Sequence, residues 1–137
     1  MFSFFGAFTN GHVELAESFR KRWLDADIVE INEPFKGLAI RFQTSVYRPQ
    51  DEDLPIGVST AIQEISEEWP NTRFVLLRTE CWGGDCENWG EVVAEGRIVA
   101  TEAGQDALRK LVGHLGGTLG PSAIFQPLSR SFPWRIT

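Results

Sequence analysis

The chain has only two cysteines, Cys81 and Cys86, and two histidines, His12 and His114, in 137 residues. Two cysteines are too few for a disulfide scaffold, so the fold is expected to rest on apolar burial. At this length folding removes about two-thirds of the unfolded chain's surface from water, enough for a core without staples. No apolar run approaches the roughly 18 residues of a membrane span. The apolar start at 2–8 has neither the basic leader nor the length of a signal peptide. A cytoplasmic protein is the resulting expectation, with both cysteines as thiols unless something binds them; a local disulfide is the alternative if the protein is exported. Repeats, low-complexity tracts and linkers are missing too, so 1–137 is expected to be a single domain with an irregular C-terminal segment over 118–137.

Basic residues are also short. Thirteen Lys and Arg stand against nineteen Asp and Glu, a formal charge of −6. A nucleic-acid binder needs a basic footprint, so nucleic acid is not expected as a ligand, and neither a membrane nor a cofactor is implied. The charge is uneven along the chain. Residues 1–48 are balanced, residues 49–96 hold eleven acids against only Arg73 and Arg78, and residues 97–137 carry a small positive excess.

What is present is a globular composition, 42% hydrophobic, with clear periodicities. The phenylalanine-rich start reads as a strand. Thr9 or Asn10 is a candidate N-cap for a helix to about Leu24, with Leu15, Ala16, Phe19 and Trp23 on one face. Strand-like runs at 27–31 and 38–47 flank a turn holding Pro34 and Gly37. A second helix follows, with Pro55 near its first turn and Val58, Ile62, Ile65 and Trp69 as its buried stripe. The run 73–81 is apolar on both alternating faces and reads as a central, doubly covered strand. Strands at 91–95 and 97–100 meet at Glu95-Gly96, a two-residue turn in which glycine accepts positive φ. A third helix is expected over 103–115, N-capped by Thr101 and stopped by Gly116-Gly117, and an edge strand over 123–126. The order β-α-β-β-α-β-β-β-α implies an α+β domain: a largely antiparallel sheet of five to six strands with three helices.

One segment concentrates chemistry. Residues 79–91 hold both cysteines, Trp82, Trp89, three glycines and the acids Glu80, Asp85, Glu87 and Glu91. Metal binding by Cys81 and Cys86 with His12 or His114 is a poor match to the two-to-four-residue spacing of zinc cysteines. Catalysis by a carboxylate pair is a second reading. If Cys81 pairs with Gly90, Glu80 faces Glu91, and such a pair, with Asp85 beside it, splits into acid and base roles. Recognition is the third. Trp82 and Trp89 would anchor a partner while the acids steer it, because aromatic residues dominate hot spots and complementary charge speeds encounter. The alternative for both tryptophans is a place folded back over the sheet. The glycines at 113–120 end a helix rather than begin one, which argues against a phosphate loop, and His114 near that end suits the helix dipole.

The buried strand 74–81, Gly83-Gly84, the strand 91–94 and the turn Glu95-Gly96 into 97–99 together resemble small uncharacterised bacterial proteins, some of which accompany secreted toxins as immunity proteins. The resemblance implies a small, acidic, cytoplasmic protein that acts by binding. A nuclease toxin exposes a basic surface to grip phosphates. The expectation is therefore a basic protein partner, met by Asp51, Glu52, Asp53, Asp85, Glu87 and Glu91 around Trp82 and Trp89. A structural or homodimeric module docking through the N-terminal strand or through Phe132-Pro133-Trp134 is a further expectation.

Overall fold

The structure, a computed structural model, describes residues 2–42, 56–83, 85–104, 106–119, 125–128 and 132–134. Six strands and three helices follow one another as β1 (Phe2–Thr9), α1 (Leu15–Arg22), β2 (Asp27–Ile31), β3 (Gly37–Arg41), α2 (Ile56–Glu68), β4 (Phe74–Trp82), β5 (Asp85–Ala94), β6 (Arg97–Ala103) and α3 (Ala107–His114), with a short 3-10 turn at Gln126–Leu128. The strands form one sheet in the order β2-β3-β1-β4-β5-β6, every neighbouring pair antiparallel. The expected α+β architecture and element order are present.

Each face of this sheet carries its own core, because alternate residues of a strand point to opposite sides. On one face Phe5, Ala7, Ile40, Phe74, Leu76 and Val93 meet Leu15 and Phe19 of α1 and Val58, Ile62 and Ile65 of α2. On the other, Phe4, Phe8, Val75, Leu77 and Val92 meet Leu111 and Val112 of α3, with Phe125 beyond. Burying one such side chain is worth about 1.5–3 kcal/mol. β4 needs apolar residues on both faces because both are covered, as its run of consecutive buried residues shows.

Several boundaries differ from the sequence reading, each for a tertiary reason. Helix α1 begins at Leu15, and neither Thr9 nor Asn10 caps it. The Thr9 hydroxyl instead donates to the Arg73 carbonyl (2.9 Å), and Asn10 Oδ1 accepts the Arg73 N–H (3.0 Å), so both tie the end of β1 to the start of β4. The stretch Thr101–Ala103 stays in β6, paired with Glu91, Gly90 and Trp89, so α3 starts at Ala107 rather than 103 and Thr101 is no N-cap. The run 38–47 is strand over 38–41, and 43–47 lie outside the described residues. Of the expected strand 123–126, Phe125 is not strand and Gln126 opens the 3-10 turn, while 123 and 124 lie outside the described residues.

The expected docking edges are occupied within the chain. β1 is an interior strand, flanked by β3 and β4. The Trp134 ring lies against Phe4 (5.8 Å) and Phe132 (4.7 Å), with the Arg41 guanidinium over it (5.1 Å). Arg41 also donates from Nε to the buried Asp27 across the β2–β3 pair (2.8 Å).

The β5–β6 turn is as expected: Glu95 and Gly96 have φ of 53° and 82°, the two consecutive positive values of a type I′ hairpin. The Gly96 N–H donates to the Ser66 hydroxyl at the end of α2 (2.8 Å). An added Cβ on Gly96 would meet Glu67 Cγ at 2.6 Å. Gly96→Ala is therefore expected to cost about 1–2 kcal/mol, mostly from left-handed backbone, read as a lower urea midpoint.

Candidate functional site

The β4–β5 hairpin reaches further than the spacing suggests. β5 begins at Asp85 rather than 91, so most of the supposed loop is ladder up to the Trp82–Asp85 rung. Going down from the tip, the rungs are Trp82 with Asp85, Cys81 with Cys86, Glu80 with Glu87, Thr79 with Asn88 and Arg78 with Trp89. Alternation places Trp82, Glu80 and Arg78 of β4 and Asp85, Glu87, Trp89 and Glu91 of β5 on one face, the face that α2 covers further down. The other face at this level is closed by a hydrogen bond from the Thr79 hydroxyl to Asn88 Oδ1 (2.6 Å), both residues buried.

This register corrects the carboxylate pairing. Glu80 faces Glu87, while Glu91 lies opposite Leu76. Glu91 Oε1 accepts a hydrogen bond from the Ser59 hydroxyl of α2 (2.6 Å), and Ser59 in turn accepts from Gln63 Nε2 (3.3 Å). Glu80 is buried and accepts from Arg78 Nη2 at 2.8 Å. The two acids of the catalytic reading thus serve separate partners, and the exposed Asp85 sits at the tip, two rungs above Glu80.

The cysteines are joined. Cys81 and Cys86 form a disulfide with Cα atoms 4.0 Å apart, a cross-strand bond between directly opposed residues. Both the expectation of free thiols and the metal reading on these sulfurs are thereby corrected, since neither sulfur is left as a thiolate ligand. Among the described residues no group of three or more His, Cys, Asp and Glu side chains is placed to hold a metal ion. The histidines sit elsewhere. His12 lines a groove of about 370 Å³ with Asn10, Glu30 and Lys36 at the opposite end of β1 from the hairpin tip. His114 lies between Arg73 Nη1 (3.3 Å) and Glu102 Oε2 (3.8 Å), so its setting is a side-chain bridge beyond the helix-dipole contact.

Comparison with protein-family models, with curated proteins and with solved structures finds no match. The geometry of the tip therefore carries the functional argument.

The two tryptophans part company. Trp82 is 48% exposed, whereas Trp89 is half-buried with its ring over the Arg78 guanidinium, 5.4 Å from Cζ to centroid. Arg78 is 2% exposed and carries both contacts. Sequence reasoning missed it. The available signal was its place two residues before Glu80 in a strand, which puts both side chains on one face at ion-pair distance. Of the acids expected to rim the site, Asp85 and Glu87 are exposed at the tip and Glu91 lies lower on the same face. Asp51, Glu52 and Asp53 lie outside the described residues. The remaining acids of this stretch are on α2 or in the Glu95 turn at the far end of the hairpin, so the acidity is shared among regions rather than gathered on one rim.

Proposed function

We propose that the protein is a binding protein that uses the β4–β5 hairpin tip to dock on a basic protein surface, in the manner of an immunity protein that occludes a toxin. The observation that carries this reading is an exposed indole, Trp82, held beside two exposed carboxylates, Asp85 and Glu87, on a hairpin end braced by a disulfide. A large aromatic side chain on a rigid support loses little conformational freedom on binding, so more of its buried area appears as affinity. The carboxylates attract a cationic surface before contact and fix the orientation of approach. Trp89, the Arg78–Glu80 pair and the Thr79–Asn88 bond stiffen the ladder below.

A persistent disulfide belongs to an oxidising setting such as a periplasm or cell exterior. The braced tip accordingly favours action there over the cytoplasmic location expected from the sequence. No described helix is long and apolar enough to cross a membrane.

Recovery of a basic partner from the native cell, followed by titration with the purified pair, tests the reading. Trp82→Ala is expected to weaken binding at least thirtyfold, a hot-spot loss of about 2 kcal/mol, with the melting temperature nearly unchanged. Asp85→Asn with Glu87→Gln should flatten the salt dependence of association. Affinity indifferent both to salt and to Trp82→Ala would overturn the proposal.

A further inference from the structure

We propose that the Cys81–Cys86 bond is a thiol-exchange site for a dithiol reductant, and that its redox state decides whether the hairpin tip is ordered. Two observations converge. Cys86 is exposed and Cys81 half-exposed, so the bond is open to attack, unlike a core staple. Above it, among the described residues, stand only the Trp82–Asp85 pair and Gly83, and glycine has the largest backbone entropy to lose on ordering. The disulfide thus holds closed a ladder end with a single rung beyond it. Lower down, Arg78 takes up the Glu80 charge and Thr79 bonds Asn88, so opening is confined to the tip.

The exchange balances with a dithiol alone. Its thiolate attacks the exposed Cys86 sulfur, a mixed disulfide forms, and Cys81 leaves as a thiolate that takes up a proton. The second thiol of the reductant then attacks its own sulfur in the mixed disulfide and releases Cys86. The protein gains two electrons and two protons, and the reductant becomes a cyclic disulfide. The consequence for partner binding rests on the docking function proposed above, because Trp82 is the residue next to Cys81.

Hydrogen exchange on the full chain, with and without dithiothreitol, tests the exchange site directly. Reduction is expected to speed exchange of the amides at 82–87 at least tenfold while those at 74–77 keep their protection. The Cys81→Ser/Cys86→Ser chain should match the reduced protein. Unchanged exchange at the tip overturns the proposal, and so does loss of protection at 74–77, which would make the bond a staple of the whole fold. Retention on immobilised poly-lysine reads docking separately: if the tip opens and Trp82-dependent retention does not fall, the docking function fails and the exchange site stands.

Discussion

Replacing Arg78 with methionine is expected to destabilise the protein by about 3–5 kcal/mol, the usual cost of breaking a buried ion pair by removing one partner. The side chain is 2% exposed, donates to the buried Glu80 at 2.8 Å and lies under the Trp89 ring. Methionine fills much of the same space, so the loss comes mainly from the carboxylate left buried without its guanidinium. The double variant Arg78→Met/Glu80→Leu removes both charges and should recover most of that loss, because a well-packed apolar pair of similar volume is often as stable as the ion pair it replaces. Urea unfolding of the three proteins decides the matter. A double variant as unstable as the single one would mean that Arg78 acts through shape and its Trp89 contact rather than through charge. Because Glu80 lies two rungs and Arg78 four rungs below Trp82, the single variant should also disorder the tip, and the double variant should restore it.

Gly6→Ala has the second large effect, about 3 kcal/mol of destabilisation. In most strand interiors this change stabilises, since alanine loses less backbone entropy on folding. Here the sign reverses. Gly6 lies in β1 with neighbours on both sides, and an added Cβ would sit 2.1 Å from the Ile40 carbonyl oxygen and 2.5 Å from Phe4 Cζ. The Phe4 ring leans across the space glycine leaves and stacks on Phe8, with centroids 5.7 Å apart and planes 16° from parallel. A methyl group must displace that ring and push on the backbone of β3. A lowered denaturation midpoint with an unchanged slope is the expected observation, and a gain in stability would show that this packing is wrong.

How much of the molecule was legible depends on the range of the interaction that decides each feature. The buried stripes of α1 and α2 and the doubly apolar β4 follow from side-chain periodicity, which needs only the residue's own neighbours. The Glu95-Gly96 turn is likewise local, since two positive φ values suit that dipeptide. Helix starts were less legible. Thr9 and Asn10 have the chemistry of N-caps, yet Arg73, more than sixty residues away, offers backbone groups at the start of β4 that claim both side chains. Thr101 has a capping side chain too, but its backbone is held in the ladder with β5.

The candidate site shows the same division. Composition and spacing alone established that tryptophan, cysteine and carboxylate converge on residues 79–91, and that one acidic stretch, residues 49–96, dominates the charge. Register lies beyond them, because a strand's side chains change partners with every one-residue slip. With Cys81 set against Cys86 instead of Gly90, the cysteines become a covalent rung, Glu80 turns to Arg78, Glu91 goes to Ser59 and Trp82 is left at the exposed end. Residue types and periods thus set the fold class and the place of the chemistry. Which side chains meet there was decided by long-range strand pairing, where each rung's energy depends on all the others being in line.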